Sequence, residues 1–143
     1  MILIHYFQVK IIKHLLEHKK TIQATTITWT IFVAYLCLTN SENLPQVEVL
    51  KFDGLGHFVF HFGITFLWFL FWKTTFNTEN KFALLKGFLF SVFFGIIIEL
   101  FQFYFIETRQ GDLKDILANC YGALSAILVV KIFLFFRNKN NPS

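Results

Sequence analysis

Residues Gly95 to Ala123 read GIIIELFQFYFIETRQGDLKDILANCYGA, and the rest of the chain is best understood from them. Two hydrophobic segments flank a short polar loop, and Glu99, Gln102, Arg109, Asp112, Asp115 and Asn119 lie in the segments or in the loop. An ionisable side chain inside hydrocarbon costs roughly 2.5–3.5 kcal/mol on insertion scales, so such residues face one another or a wet cavity. The stretch reads as a membrane hairpin of two helices that carries a polar site.

The composition agrees with a membrane setting. Of 143 residues, 55% are hydrophobic and only 15% charged, and the mean hydropathy is +0.56, which is too apolar for an ordinary soluble domain. The net charge of +4 does not call for nucleic acid, because Lys and Arg collect in the cytoplasmic loops of membrane proteins. The 21 Phe suit a lipid-facing surface and agree with a low-GC coding bias. Cys37 and Cys120 supply neither a disulfide framework nor a metal spacing, and both sit in apolar segments, where Cys is commonly a small buried hydrophobe. No A-x-A cleavage site follows the first apolar segment, and Leu36 before Cys37 argues against a lipoprotein, so that segment is expected to stay in the membrane.

Working outward, four segments are long enough to span, near residues 22–38, 55–72, 82–106 and 113–136. Short connections between them predict an all-α, up-down four-helix transmembrane bundle over residues 21–137. Residues 1–20, MILIHYFQVKIIKHLLEHKK, place Ile4, Phe7, Ile11 and Leu15 at helical spacing with cationic residues largely between them, which fits a short amphipathic helix on the membrane surface and, equally, a basic tail that only fixes topology. Residues 138–143 form a polar tail.

Basic residues set the expected orientation. Lys10, Lys13, Lys19 and Lys20, then Lys73, Lys81 and Lys86, then Arg137 and Lys139 put both termini and the second loop in the cytoplasm. The first and third loops carry Glu42, Glu48, Lys51 and Asp53, and Glu107, Arg109, Asp112, Lys114 and Asp115, and face outward. Asp53, His57 and His61 on the second helix, Glu99 and Gln102 on the third, and Asp112, Asp115 and Asn119 at the start of the fourth then share one side, with Glu99 roughly 10 Å below its helix end. Faces agree too. Asp53, His57, His61 and Thr65 form one stripe, Gly87, Ser91, Gly95, Glu99 and Gln102 a second, and Asp115, Asn119, Gly122 and Ala126 a third. Small residues at this spacing let membrane helices approach closely, while the polar parts enclose a site.

The expected ligand-binding residues are therefore Asp53, His57, His61, Glu99, Gln102, Arg109, Asp112, Asp115 and Asn119. Interhelical hydrogen bonding alone could be built from Ser, Thr and Asn; so many ionisable groups on one side argue for more than adhesion. Glu99 must be protonated or paired with His57, His61 or Arg109. Catalytic roles are unassigned: the candidates are His57 as general acid or base, Glu99 as its partner, and Asp115, with Asp112, as a cation ligand. His57 and His61 with Glu99 have metal-ligand spacing, yet a His pair on a polar helix face more often serves hydrogen bonding, so no metal is assigned. No activated nucleophile, no G-x-S-x-G and no phosphate-cradling glycine loop occurs, and no cofactor is named by these residues.

Asp53 followed by His57-Phe58, then Glu99-x-x-Gln102, Arg109, Asp115, Asn119 and Gly122 in the context ILANCYGA, resembles the VanZ-like family of small bacterial membrane proteins. The resemblance covers the second to fourth helices. It implies a multi-pass protein of the bacterial cytoplasmic membrane, in a family whose named member lowers susceptibility to the glycopeptide teicoplanin. This chain departs from the family pattern at Gly54, where Lys is usual, at Phe105-Ile106-Glu107-Thr108, where a Pro precedes the Arg, and at His61, where an aromatic residue is common.

Three functions are expected on these grounds. The first is a modifier of the cell envelope that binds a membrane lipid or lipid-linked cell-wall precursor, with Arg109 holding phosphate as a bidentate donor. The second is an intramembrane enzyme on a lipid-linked substrate. The third is a non-catalytic helper whose polar stripes pair with another membrane protein or a second copy of the chain.

Overall fold

The computed structural model describes residues 19–39, 53–106 and 113–140. They form four α-helices: α1 (Lys19–Leu38), α2 (Asp53–Phe76), α3 (Asn80–Phe105) and α4 (Leu113–Asn140). With 20, 24, 26 and 28 residues, each is long and apolar enough to cross a membrane. Among the described residues there is no strand, and the chain is an all-α multi-pass membrane protein. The helices overrun the apolar segments by a few residues at several ends, because backbone hydrogen bonding continues into the polar interface after the side chains cease to be hydrophobic. The expected amphipathic segment lies outside the described residues, apart from Lys19 and Lys20, which open α1. Part of the expected polar tail is helical, since α4 continues to Asn140.

Contacts fix the helix directions. Lys19 Nζ donates to the Thr75 carbonyl (2.9 Å), and further along Trp29 Nε1 donates to the Phe60 carbonyl (3.4 Å), so α1 and α2 are antiparallel. Lys19 thereby satisfies a carbonyl of the last turn of α2, where a cation also opposes the helix dipole. Three residues connect α2 to α3, and the turn depends on Asn77 at φ 49°, a left-handed conformation that Asn tolerates better than most residues. The turn returns α3 antiparallel to α2, with Gly87 against Thr65 and Phe69 and Ser91 against His61.

Helix α2 is the centre of the bundle and packs on α1, α3 and α4. Its partner α4 runs parallel to it: Ala118 lies beside Gly54, Asn119 beside His57 and Gly122 beside Phe58. Gly122 makes this possible, since a Cβ there would overlap the Phe58 carbonyl oxygen. Two apolar clusters fill the remaining interior. Val33, Cys37, Ile64 and Ile98 join α1, α2 and α3, while Phe69, Ala83, Leu84 and Val130 join the opposite ends of α2, α3 and α4. Phe93, Tyr104, Phe105 and Phe135 are exposed on the outer surface, an arrangement that suits lipid and not water.

Candidate functional site

Glu99 lies six residues from the end of α3, about 9 Å along the helix at 1.5 Å per residue. His57 lies one turn into α2, and Asp115 lies in the first turn of α4. Because α2 and α4 begin at the end of the bundle where α3 finishes, the three residues come to one level. His57, Glu99, Asp115 and Asn119 are all buried, with relative exposures of 2%, 5%, 8% and 3%. Asp115, in the first turn of α4, is the most accessible of the four.

The ring of His57 is the hub. Its Nδ1 is 3.0 Å from Asn119 Oδ1 and 3.8 Å from Glu99 Oε1, while its Nε2 is 3.8 Å from Asp115 Oδ2. An amide oxygen only accepts, so in this arrangement Nδ1 carries the proton and donates to Asn119. Asp115 and Asn119 occupy successive turns of one face of α4, so one helix supplies both the carboxylate at one ring nitrogen and the amide at the other.

His61 takes a separate partner. Its Nδ1 is 2.9 Å from Ser91 Oγ, and the Ser91 hydroxyl also lies 3.4 Å from the His61 carbonyl oxygen. Gly95 creates the space between the two histidine environments: a Cβ there would stand 2.8 Å from His61 Cε1 and 2.9 Å from Asn119 Nδ2. Gln102 shares the buried face of α3 but turns away from the cluster, donating from Nε2 to the Cys37 carbonyl (2.8 Å). That carbonyl lies in the last turn of α1. Gln102 therefore anchors α1 to α3. Nothing in the sequence announces this bond, because its acceptor is a main-chain group.

The structure thus gathers His57, Glu99, Asp115 and Asn119, and places His61 and Gln102 on the same stripes with other partners. Among the described residues the side chains that offer ligand atoms within 4.8 Å of one another are those of His57, Glu99 and Asp115, whereas His61, which spacing grouped with His57 and Glu99, bonds to Ser91. Asp53 opens α2 one turn before His57. Arg109 and Asp112 lie outside the described residues, between Glu99 and Asp115 in sequence. Ser91 has a clear role as the partner of His61, which its position on the Gly87–Gly95 stripe allowed but its identity alone did not reveal.

The cluster has the chemistry of a proton-handling or ligand-holding site: an imidazole between two carboxylates, with an amide fixing its orientation, in surroundings where little water competes. No curated protein and no solved structure matches the chain significantly. A family model described as VanZ/LLP1 matches residues 1–134 of the 143, a range that contains every residue of the cluster. With four membrane-spanning helices and a match over nearly its whole length, the chain belongs to the VanZ-like family of membrane proteins.

Proposed function

We propose that this chain acts at the outer face of the bacterial cytoplasmic membrane, where the cluster of His57, Glu99, Asp115 and Asn119 holds the polar headgroup of a membrane lipid or lipid-linked cell-wall intermediate. Binding changes what a glycopeptide antibiotic can reach and lowers susceptibility, above all to teicoplanin. The observation that carries this reading is the convergence of three buried ionisable side chains, from three helices, at one end of the bundle. Each would cost roughly 2.5–3.5 kcal/mol in hydrocarbon, a price that bundle stability alone does not require. Sugar hydroxyls and peptide amides of a headgroup donate to Glu99 and Asp115. Arg109, six residues before Asp115, supplies the positive charge for phosphate. The distribution of Lys and Arg favours this end as the outer one.

The test is glycopeptide susceptibility of a sensitive Gram-positive host that expresses the chain, compared with Glu99→Gln, Asp115→Asn and Arg109→Ala at matched membrane levels. Protection by the wild type, preferentially against teicoplanin and lost in all three variants, is the expected outcome. Equal susceptibility of wild type and empty vector would remove the antibiotic part of the reading; protection that survives all three substitutions would remove the cluster from it.

A second reading is favoured by the position of His57, which has a carboxylate 3.8 Å from each ring nitrogen. That is the layout of a general acid–base residue, so the same headgroup would be chemically altered as well as bound. Incubation of the purified chain with envelope lipid extracts separates the two: new lipid species, absent with His57→Ala, mean catalysis, and unchanged lipids mean binding.

A further inference from the structure

Among the described residues, His57, Glu99 and Asp115 also form a grouping with the chemistry of a metal centre. One ligand atom from each lies within 4.8 Å of the other two. The residues stand on α2, α3 and α4, so their meeting is a product of helix packing and not of the periodicity of any one helix. The 3.8 Å from His57 Nε2 to Asp115 Oδ2 is close to the roughly 3.3–3.5 Å between two donors that share a tetrahedral ion at about 2.0–2.1 Å, and the Glu99 carboxylate stands beside the same ring.

A further feature points the same way, the bond of His57 Nδ1 to Asn119 Oδ1 at 3.0 Å. It leaves the lone pair on Nε2, the nitrogen that faces Asp115, and it orients the ring from outside, as the second nitrogen of a metal-bound imidazole is usually oriented.

The geometry points to a mononuclear site for a divalent transition metal of the zinc or manganese class, held by His57 Nε2, Glu99 and Asp115. One nitrogen and two carboxylate donors suit these ions, whereas magnesium and calcium prefer oxygen alone. Three protein ligands leave coordination positions open to water or to a phosphate oxygen. The site goes beyond the lipid-binding reading and does not depend on it.

The test uses the full chain in detergent, purified with a tag that contains no histidine and with His5, His14 and His18 changed to Gln so that the N-terminal segment cannot bind metal. After stripping with a chelator, the protein is equilibrated with Zn2+, Mn2+ or Mg2+, and bound metal is counted by mass spectrometry. About one Zn2+ or Mn2+ per chain is expected, with no retained Mg2+, and at least tenfold weaker binding in His57→Ala and Asp115→Asn. Asn119→Leu weakens affinity on the order of 10–100-fold, and Asn119→Asp, which still accepts from Nδ1, restores it. Thermal unfolding separates a lost site from a lost fold: the wild-type midpoint rises with metal, whereas the variants unfold cooperatively without that rise. A folded wild type that retains no Zn2+ or Mn2+, or that retains it equally after His57→Ala, overturns the assignment. Metal retention and antibiotic susceptibility are read separately, so either can fail while the other stands.

Discussion

His61 and His57 lie one turn apart on α2, yet their surroundings give them different work. His57 faces two carboxylates and an amide from α3 and α4, whereas His61 faces the Ser91 hydroxyl and packs beside Phe94. Only the first arrangement offers acidic partners, so the proposed chemistry rests on His57 while His61 belongs to the packing. Ser91→Ala leaves a buried ring nitrogen without its partner, and the expected cost is about 1 kcal/mol, within the range for interhelical hydrogen bonds in membranes. Thermal unfolding in detergent measures it, and glycopeptide protection at matched membrane levels is expected to persist. Loss of protection without loss of stability would instead move His61 into the site.

At the scale of the helices, α2 and α4 are the decisive pair. Short connections predict antiparallel neighbours, and the chain has them, but the bond that orients His57 joins two parallel helices that are not consecutive. Their approach depends on Gly122. Gly122→Val would drive a side chain into the Phe58 backbone, with an expected loss of about 1–3 kcal/mol from overpacking and separation of Asn119 from His57. Reduced unfolding temperature together with lost protection checks this. Gly54 is a useful contrast on the same seam, since a Cβ there meets Ala118 Cβ at an ordinary 3.9 Å. Gly54→Lys, which introduces the residue usual in the family, is therefore expected to leave the unfolding temperature within about 1–2 °C while changing the response to glycopeptides. A fall like that of Gly122→Val would show that the seam is tighter than the contact implies.

For the whole molecule, orientation decides whether the cluster opens toward the envelope or the cytoplasm. The basic residues near the N-terminus, the α2–α3 turn and the C-terminus favour a cytoplasmic location for those ends. With Cys37 and Cys120 changed to Ser, a cysteine introduced at Thr108 is expected to react with a membrane-impermeant maleimide in intact cells, and one introduced at Asn77 only after lysis. The reverse pattern would place the cluster on the cytoplasmic side and exclude direct contact with an outer lipid-linked intermediate.

Much of this protein is legible in its sequence. The four spans follow from the length of the apolar runs, and the buried faces of α3 and α4 follow from residues recurring every three or four positions, as with Gly87, Ser91, Gly95 and Glu99. Both are local properties, set by helical rise and by the cost of polar groups in lipid. Partnership is not local. Asp115 rather than His61 completes the group around His57, Ser91 satisfies His61, and Gln102 reaches the Cys37 carbonyl, because each outcome depends on helix rotation and on how closely backbones approach at glycines. A stripe read from sequence says which side of a helix turns inward; only packing against specific neighbours decides which atom it meets there.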